Sequence, residues 1–212
     1  MKLGNIMIFG DSYSTFEGWI PDGYAIFYTK NRKDEPIVYD VKNTWWKRLI
    51  DATEANLVEN NSWSGSTIGY TGYNASDNSH SSSFIYRFEK LLAEGFFEKN
   101  KIDTLFVFGG TNDSWCNAPL GEFRLGKSEE SELFSVLPAI GHFATRLKEA
   151  LPDTRIVFIG NCGIKEVVTD ALARACEHYG FEYIALADID KISGHPTELG
   201  MAQICDQILA AI

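Results

Sequence analysis

The chain has 212 residues, 45% of them hydrophobic, and a formal net charge of −10 at pH 7. This length and composition can bury one substantial core, so we expect a single α/β domain spanning residues 1–212. The negative charge would repel polyanions, which excludes nucleic acid and acidic membrane surfaces as expected partners and favours neutral or cationic substrates.

Five short apolar runs rich in β-branched residues predict buried strands, and helical patterns with apolar residues three or four positions apart lie between them. Near-continuous apolar strands that alternate with helices favour a parallel sheet covered by helices on both faces. We therefore expect a three-layer α/β/α sandwich with a five-stranded parallel sheet. The predicted strands are residues 6–9, 56–58, 104–108, 155–159 and 183–186, and the clearest helical patterns are residues 84–92 and 140–151.

Four polar segments each follow a predicted strand. In an open parallel sheet the ligand crevice lies outside the carboxyl ends of the strands, where the strand order reverses. We therefore expect these segments to meet at one rim, although they lie far apart in the chain. They read Gly-Asp-Ser-Tyr-Ser from Gly10, Asn-Ser-Trp-Ser-Gly from Asn61, Gly-Gly-Thr-Asn-Asp from Gly109 and Ser-Gly-His-Pro-Thr from Ser193.

The residue types in these segments are those of nucleophilic acyl transfer. The Ser12 hydroxyl can attack a carbonyl carbon if a base removes its proton. His195 can be that base, because a neutral imidazole accepts the proton and later returns it to the leaving alcohol. The backbone N–H groups of Ser12 and Gly65, together with the Asn112 amide, can donate hydrogen bonds to the oxygen of a tetrahedral intermediate.

Each of these residues also has an ordinary structural interpretation. A serine just after a strand is often a helix cap, and a lone histidine before the last helix can be one too. Asn112 suits a turn, and Gly65 suits a backbone position with positive φ. The combination of all four segments favours the catalytic interpretation.

The order Gly-Asp-Ser, Asn-x-x-x-Gly, Gly-x-Asn-Asp and a C-terminal His-Pro resembles the SGNH (GDSL-like) hydrolase superfamily of esterases and lipases. The resemblance runs from Ile6 to Leu199. It implies a flavodoxin-like SGNH fold and a serine esterase that works through an acyl-enzyme, with no cofactor or metal. It also implies that Asp11 and Asp113 hydrogen-bond the motifs into shape, whereas a carboxylate pair for metal binding or glycoside hydrolysis is the alternative.

One position departs from the family's pattern, because Ile192 stands three residues before His195, where the family usually carries Asp. Losing the orienting carboxylate of a triad can cost about 10⁴ in rate. We expect a Ser-His dyad in which a main-chain carbonyl near Ile192 accepts the Nδ1 proton, with Asp190 as the alternative orienting carboxylate.

Two other functions are compatible with this pattern. The first is a catalytically weak or inactive carbohydrate-binding protein of the same fold, which the Ile192 departure suggests. The second is a flavodoxin-like module that holds FMN or a phosphate at the same strand ends, although Asp11 would repel the anion there.

Three connections that begin on this rim, residues 16–42, 70–82 and 114–128, are longer than ordinary loops and rich in aromatic residues. They also carry many Asn, Ser and Gly residues and lack a long aliphatic stripe. We therefore expect the substrate to be a small-molecule or glycan ester, with short acyl groups on a polar or carbohydrate alcohol in preference to a long-chain lipid.

The cysteines indicate neither a zinc site nor required disulfides. They show no Cys-x-x-Cys spacing and no metal-ligand pattern with histidine, so we expect reduced, buried thiols. The four cysteines are Cys116, Cys162, Cys176 and Cys205.

No apolar run approaches 18 residues and no secretory signal fits residues 1–5, so we expect a soluble protein without integral membrane association. It would be cytoplasmic, or secreted or periplasmic if a leader has been removed.

Overall fold

A computed structural model of the chain describes residues 2–31, 38–73 and 80–212, so parts of the first two long connections lie outside the described residues. The five predicted strands are confirmed. They form one parallel sheet in the order β2-β1-β3-β4-β5. The strands are β1 (Asn5–Gly10), β2 (Asn56–Ser62), β3 (Thr104–Phe108), β4 (Arg155–Gly160) and β5 (Glu182–Ala185).

Helices cover both faces of this sheet, which confirms the three-layer α/β/α arrangement. The helices are α1 (Trp45–Thr53), α2 (Phe84–Ala93), α3 (Phe96–Lys99), α4 (Thr111–Trp115), α5 (Val136–Ala150), α6 (Glu166–Tyr179) and α7 (Glu198–Ala211). Successive residues of a strand point to opposite faces, so Ile6 and Ile8 pack with α1 and α7 whereas Met7 and Phe9 pack with α2, α5 and α6.

The strand order places the carboxyl ends of β1 and β3 at the point where the chain changes direction across the sheet. From β1 the chain moves to β2 on one side, and it then returns to add β3, β4 and β5 on the other side. In this order the crevice beside the reversal is the usual ligand site. The segments after β1, β2 and β3 therefore share one rim.

A two-stranded antiparallel hairpin near the C-terminus was missed by the sequence analysis. It consists of β6 (Lys191–Ile192) and β7 (His195–Pro196). The two residues between the strands, Ser193 and Gly194, have φ angles of 49° and 82°. Positive φ at both central positions is the mark of a type I′ turn, whose twist matches that of a hairpin. His195 is therefore carried on a short strand and not on an irregular loop.

The four cysteines are free thiols. Cys116, Cys176 and Cys205 are buried, whereas Cys162 is half-buried just beyond β4. None of the helices in the described ranges combines the length and the hydropathy needed to span a membrane.

Candidate active site

Ser12 opens a short 3₁₀ turn, Ser12–Ser14, directly after β1. Asp11 caps this turn, since its Oδ1 accepts the Tyr13 N–H at 3.0 Å. The tight exit from the strand requires glycine at position 10, because a Cβ there would lie 2.6 Å from Ser62 Oγ and 2.7 Å from Ser14. The turn leaves Ser12 at the rim of the sheet with only 2% of its surface exposed.

His195 reaches Ser12 across 183 residues of sequence. Its Nε2 lies 3.0 Å from Ser12 Oγ, which is hydrogen-bond distance. A base must lie within this distance of the proton that it removes. The hairpin therefore brings the two predicted reacting side chains into direct contact.

A main-chain carbonyl lies on the other side of the imidazole. His195 Nδ1 is 3.4 Å from the Ser193 oxygen, at the outer limit of a hydrogen bond. The Asp190 carboxylate instead accepts the Thr197 hydroxyl, and the Asp190 backbone N–H donates to Gln203. These contacts fasten Asp190 to the start of α7.

Asn112 lies in the first turn of α4, within the polar segment that follows β3. Its Nδ2 donates to the Ser66 oxygen at 2.9 Å. A carboxamide has two N–H groups, so this bond orients the amide while a second donor remains for the cleft. Gly65 has a φ of +81°, a left-handed conformation that favours glycine.

All four predicted residues line one cleft of about 630 Å³. Its walls combine small polar and glycine positions with three aromatic side chains. Such a cleft, mostly apolar with a few convergent polar groups, is typical of a small-molecule site. The lining residues include Ser12, Gly65, Asn112 and His195 together with Phe27, Tyr73 and Trp115.

Asp11 and Asp113 are both buried, and burial raises the pKa of Asp11 to about 7 and that of Asp113 to about 6. Both carboxylate oxygens of Asp113 accept the Ile68 N–H, at 3.0 and 3.1 Å. Asp113 thus ties α4 to the segment after Gly65. Within the described ranges, no group of three or more His, Cys, Asp or Glu side chains is arranged to hold a metal ion.

Arg87 is a fully buried cation on α2 that the sequence analysis missed. Its Nε donates to the Ser82 oxygen at 2.8 Å, its Nη1 to the backbone oxygen and Oδ1 of Asn61, and its Nη2 to the Gly10 oxygen at 3.2 Å. A further bond reaches Ser66 Oγ at 3.3 Å. One guanidinium therefore joins the end of β1, the end of β2 and the segment after Gly65.

Aromatic faces also flank the Arg87 guanidinium. Its guanidinium carbon lies 4.6 Å from the Phe9 ring centre and 4.7 Å from that of Phe84, which are cation–π distances. Burial lowers the pKa of Arg87 to about 9. A signal was present in the sequence, because position 87 lies three residues after Phe84 and four before Leu91, on the apolar face of the predicted helix.

Known proteins resemble the chain over nearly all of its length. A family model described as GDSL-like Lipase/Acylhydrolase matches residues 4–212. The crystal structure of a protein from Bacteroides ovatus ATCC 8483, described as a GDSL-like lipase, is 39% identical with a TM-score of 0.89, and the match covers 99% of this chain and 98% of that one.

A second crystal structure is equally similar. It is that of a protein from Bacteroides uniformis ATCC 8492, also described as a GDSL-like lipase, with 40% identity, a TM-score of 0.89, and coverage of 99% of this chain and 95% of that one. A carbohydrate esterase at 15% identity, with a TM-score of 0.63 and coverage of 99% and 68%, shares the fold. No curated protein matches the sequence.

We predict that Arg87→Lys lowers the free energy of unfolding by at least about 2 kcal/mol, because an ammonium group cannot reach all the acceptors and an unsatisfied buried carbonyl costs about 1–3 kcal/mol. Urea unfolding measures the change. The matched control is Arg146→Lys, which replaces a half-buried arginine that pairs with Glu89. Its free energy of unfolding should fall by less than about 1 kcal/mol. Equal losses in the two variants would contradict the special role of Arg87.

We predict that Asp11→Asn gains stability relative to the wild type as the pH rises. With a folded pKa of about 7 and an unfolded value near 4, wild-type Asp11 holds a proton only in the folded state between these values, so its contribution to stability falls across this window. Asparagine does not titrate. From pH 5 to pH 8 the difference in unfolding free energy should therefore move in favour of the variant by roughly 2–3 kcal/mol.

Urea unfolding at the two pH values measures this difference, and Asp153→Asn, which changes an exposed carboxyl group, is the control. A difference for Asp11→Asn that stays constant from pH 5 to pH 8 would show that the carboxyl group ionises normally in the folded protein.

Proposed function

We propose that this chain, which belongs to the GDSL-like lipase/acylhydrolase family, is a serine esterase that hydrolyses acyl esters through an acyl-enzyme. The family model and the Bacteroides structures confirm the resemblance seen in the motifs, and they make the chain a hydrolase of this family. The observation that carries the assignment of residues is the 3.0 Å contact between Ser12 Oγ and His195 Nε2 in a cleft that also holds Gly65 and Asn112.

The first half-reaction transfers the acyl group to Ser12. As Ser12 Oγ bonds to the ester carbonyl carbon, its proton passes to His195 Nε2 and the carbonyl π electrons move onto the oxygen. His195 then gives this proton to the alcohol oxygen as the carbon–oxygen bond to the leaving group breaks. In the second half-reaction water attacks the acyl-serine, with His195 again taking and returning the proton.

The negative oxygen of each tetrahedral intermediate needs donors already in place. The second N–H of Asn112 and the backbone N–H groups of Ser12 and Gly65 are proposed to supply them. The Ser66 carbonyl supports this role, because it holds the Asn112 amide in one orientation before substrate binds. A preoriented donor requires no reorganisation during the reaction, and losing one such donor typically costs about 10² to 10³ in rate.

The imidazolium that forms during each half-reaction also needs a partner. We propose that the Ser193 carbonyl, whose oxygen lies 3.4 Å from Nδ1, fills this role. Asp190 is a weaker candidate for this role, since its carboxylate accepts the hydrogen bond of the Thr197 hydroxyl.

The proposed substrate is a small-molecule or glycan ester that carries a short acyl group on a polar or carbohydrate alcohol. The cleft supports this choice, because the aromatic side chains of Tyr73 and Trp115 can stack on a sugar ring while Ser64 and Ser193 offer polar contacts. The net charge of −10 disfavours a nucleic acid as substrate or partner.

We predict that a fluorophosphonate probe labels Ser12 in the wild type and that Ser12→Ala abolishes both the labelling and the turnover of p-nitrophenyl acetate. Loss of the hydroxyl removes the only atom that the mechanism allows to bond to the acyl carbon. Mass spectrometry locates the label, and Ser131→Ala, which removes an exposed serine hydroxyl, is the control. A wild type that neither takes the label nor turns over would favour the carbohydrate-binding alternative.

We predict that kcat/KM is highest for acetyl and butyryl esters and falls for long fatty acyl esters, because the described cleft wall lacks a long aliphatic stripe. A series of p-nitrophenyl esters from acetate to palmitate measures the chain-length dependence, and acetate release from acetylated sugars tests the alcohol. A maximum at long acyl chains would refute this substrate class while leaving the serine mechanism intact.

A further inference from the structure

Residues 25–28, called the strap, belong to the connection between β1 and α1 and form neither a helix nor a strand, and Phe27 of the strap lines the cleft. We propose that the strap is the positioning element of the active site and that Phe27 and Tyr28 hold His195 in line with Ser12. This inference rests on the proposed function, since it assigns His195 the role of the base.

Phe27 sets the plane of the imidazole. Its ring is stacked on that of His195, with the ring centres 3.6 Å apart and the planes inclined by 10°. The χ2 torsion of histidine is intrinsically broad, so an unsupported ring would sweep Nε2 through a wide arc. A parallel face in contact along the whole ring limits that rotation. The ring of Trp115 adds an edge contact at 5.9 Å.

Two tyrosine hydroxyl groups hold the backbone on either side of His195. The buried Tyr28 hydroxyl donates to the Pro196 oxygen at 2.9 Å, and the Tyr13 hydroxyl donates to the Gly194 oxygen. Burial raises the pKa of Tyr13, so this phenol remains a donor at any pH at which the protein would be assayed. The carbonyl groups of the residues before and after the proposed base are therefore both held by residues from the N-terminal part of the chain.

The strap is itself fastened to the other parts of the site. The Phe27 N–H donates to Thr15 Oγ1 at 2.9 Å, and the same hydroxyl donates to the Ser12 oxygen at 3.1 Å. The Ser64 N–H donates to the Ala25 oxygen at 2.9 Å, next to Gly65. A continuous set of contacts thus joins the nucleophile turn, the glycine of the oxyanion hole and the histidine hairpin.

This arrangement has a direct consequence for the chemistry. Proton transfer from Ser12 depends on the direction in which Nε2 points, and a misplacement of about 1 Å can cost roughly 10² in rate. The aromatic face of Phe27 also interacts favourably with the imidazolium cation once it forms. Loss of the strap contacts should therefore lower kcat more than it weakens binding of a small substrate.

The test uses the full-length protein and p-nitrophenyl acetate. We expect Phe27→Leu to lower kcat about tenfold or more and Tyr28→Phe to lower it about fivefold, with KM within about twofold of the wild type. Phe27→Tyr keeps an aromatic face and should retain at least half of the wild-type kcat. The thermal midpoint of each variant shows that it folds, and Tyr28→Phe, which removes one oxygen atom, decides the matter if Phe27→Leu does not fold.

Two matched controls lie outside the cleft. Phe134→Leu removes a 44% exposed ring that makes an edge contact with His80 at 6.3 Å, and Tyr179→Phe removes a hydroxyl that hydrogen-bonds Thr145 at 2.6 Å. Both should keep kcat within about twofold of the wild type.

The inference is overturned if the strap variants keep the wild-type kcat or if only their KM changes. It is also overturned if kcat falls as far in Phe27→Tyr, or in the two controls, as it does in Phe27→Leu. Ser12→Ala separates this failure from that of the proposed function. If Ser12→Ala is inactive while the strap variants are unaffected, the esterase assignment stands and the strap inference does not. If Ser12→Ala turns over like the wild type, the esterase assignment itself fails.

Discussion

The buried guanidinium of Arg87 is the interaction on which the rim of the sheet depends. Where the chain leaves β1 and β2, the Arg87 guanidinium donates hydrogen bonds to the carbonyls of both Gly10 and Asn61. A hydrogen bond from a charged donor to a buried carbonyl typically contributes about 1.5–3 kcal/mol. The turn at Ser12 and the segment that leads to Gly65 therefore start from fixed points, because a cation lies between aromatic rings beneath them.

The opposite wall of the cleft, which carries His195, is held by side-chain contacts and not by the sheet. The histidine hairpin extends beyond the sheet, where strand pairing cannot hold it, and its ladder contains only two residue pairs. Its position comes from side-chain contacts instead, including the Lys191 ammonium group, which donates to Asn161 Oδ1 at 2.8 Å and to the Cys162 oxygen at 2.7 Å. A charged group thus anchors the base of the hairpin to the end of β4, while the Phe27 ring stacks on that of His195 in its second strand.

Particular residues show how much of the structure a local sequence pattern predicts. The apolar runs predicted all five strands of the sheet, but the prediction for β2 stopped at residue 58 whereas the strand continues to Ser62. Its second half reads Glu-Asn-Asn-Ser, a composition depleted in strands. Asn60 is nevertheless buried there, because its side chain donates to the Ser14 oxygen at 2.8 Å. That partner is 46 residues away in the sequence, so no short stretch of sequence around Asn60 shows why this residue can be buried in a strand.

The alternation of apolar runs with helical patterns and the order of the four polar motifs were enough to predict the fold and the family and to name the residues that we propose react. Strand direction and the shared rim follow from that order alone, because parallel strands with intervening helices leave the sheet at the same edge. The partner of Asp190, the hairpin at His195 and the stacking of Phe27 emerged only on folding. Each depends on side chains brought together by packing, and the Phe27 and His195 rings meet although they belong to opposite ends of the chain.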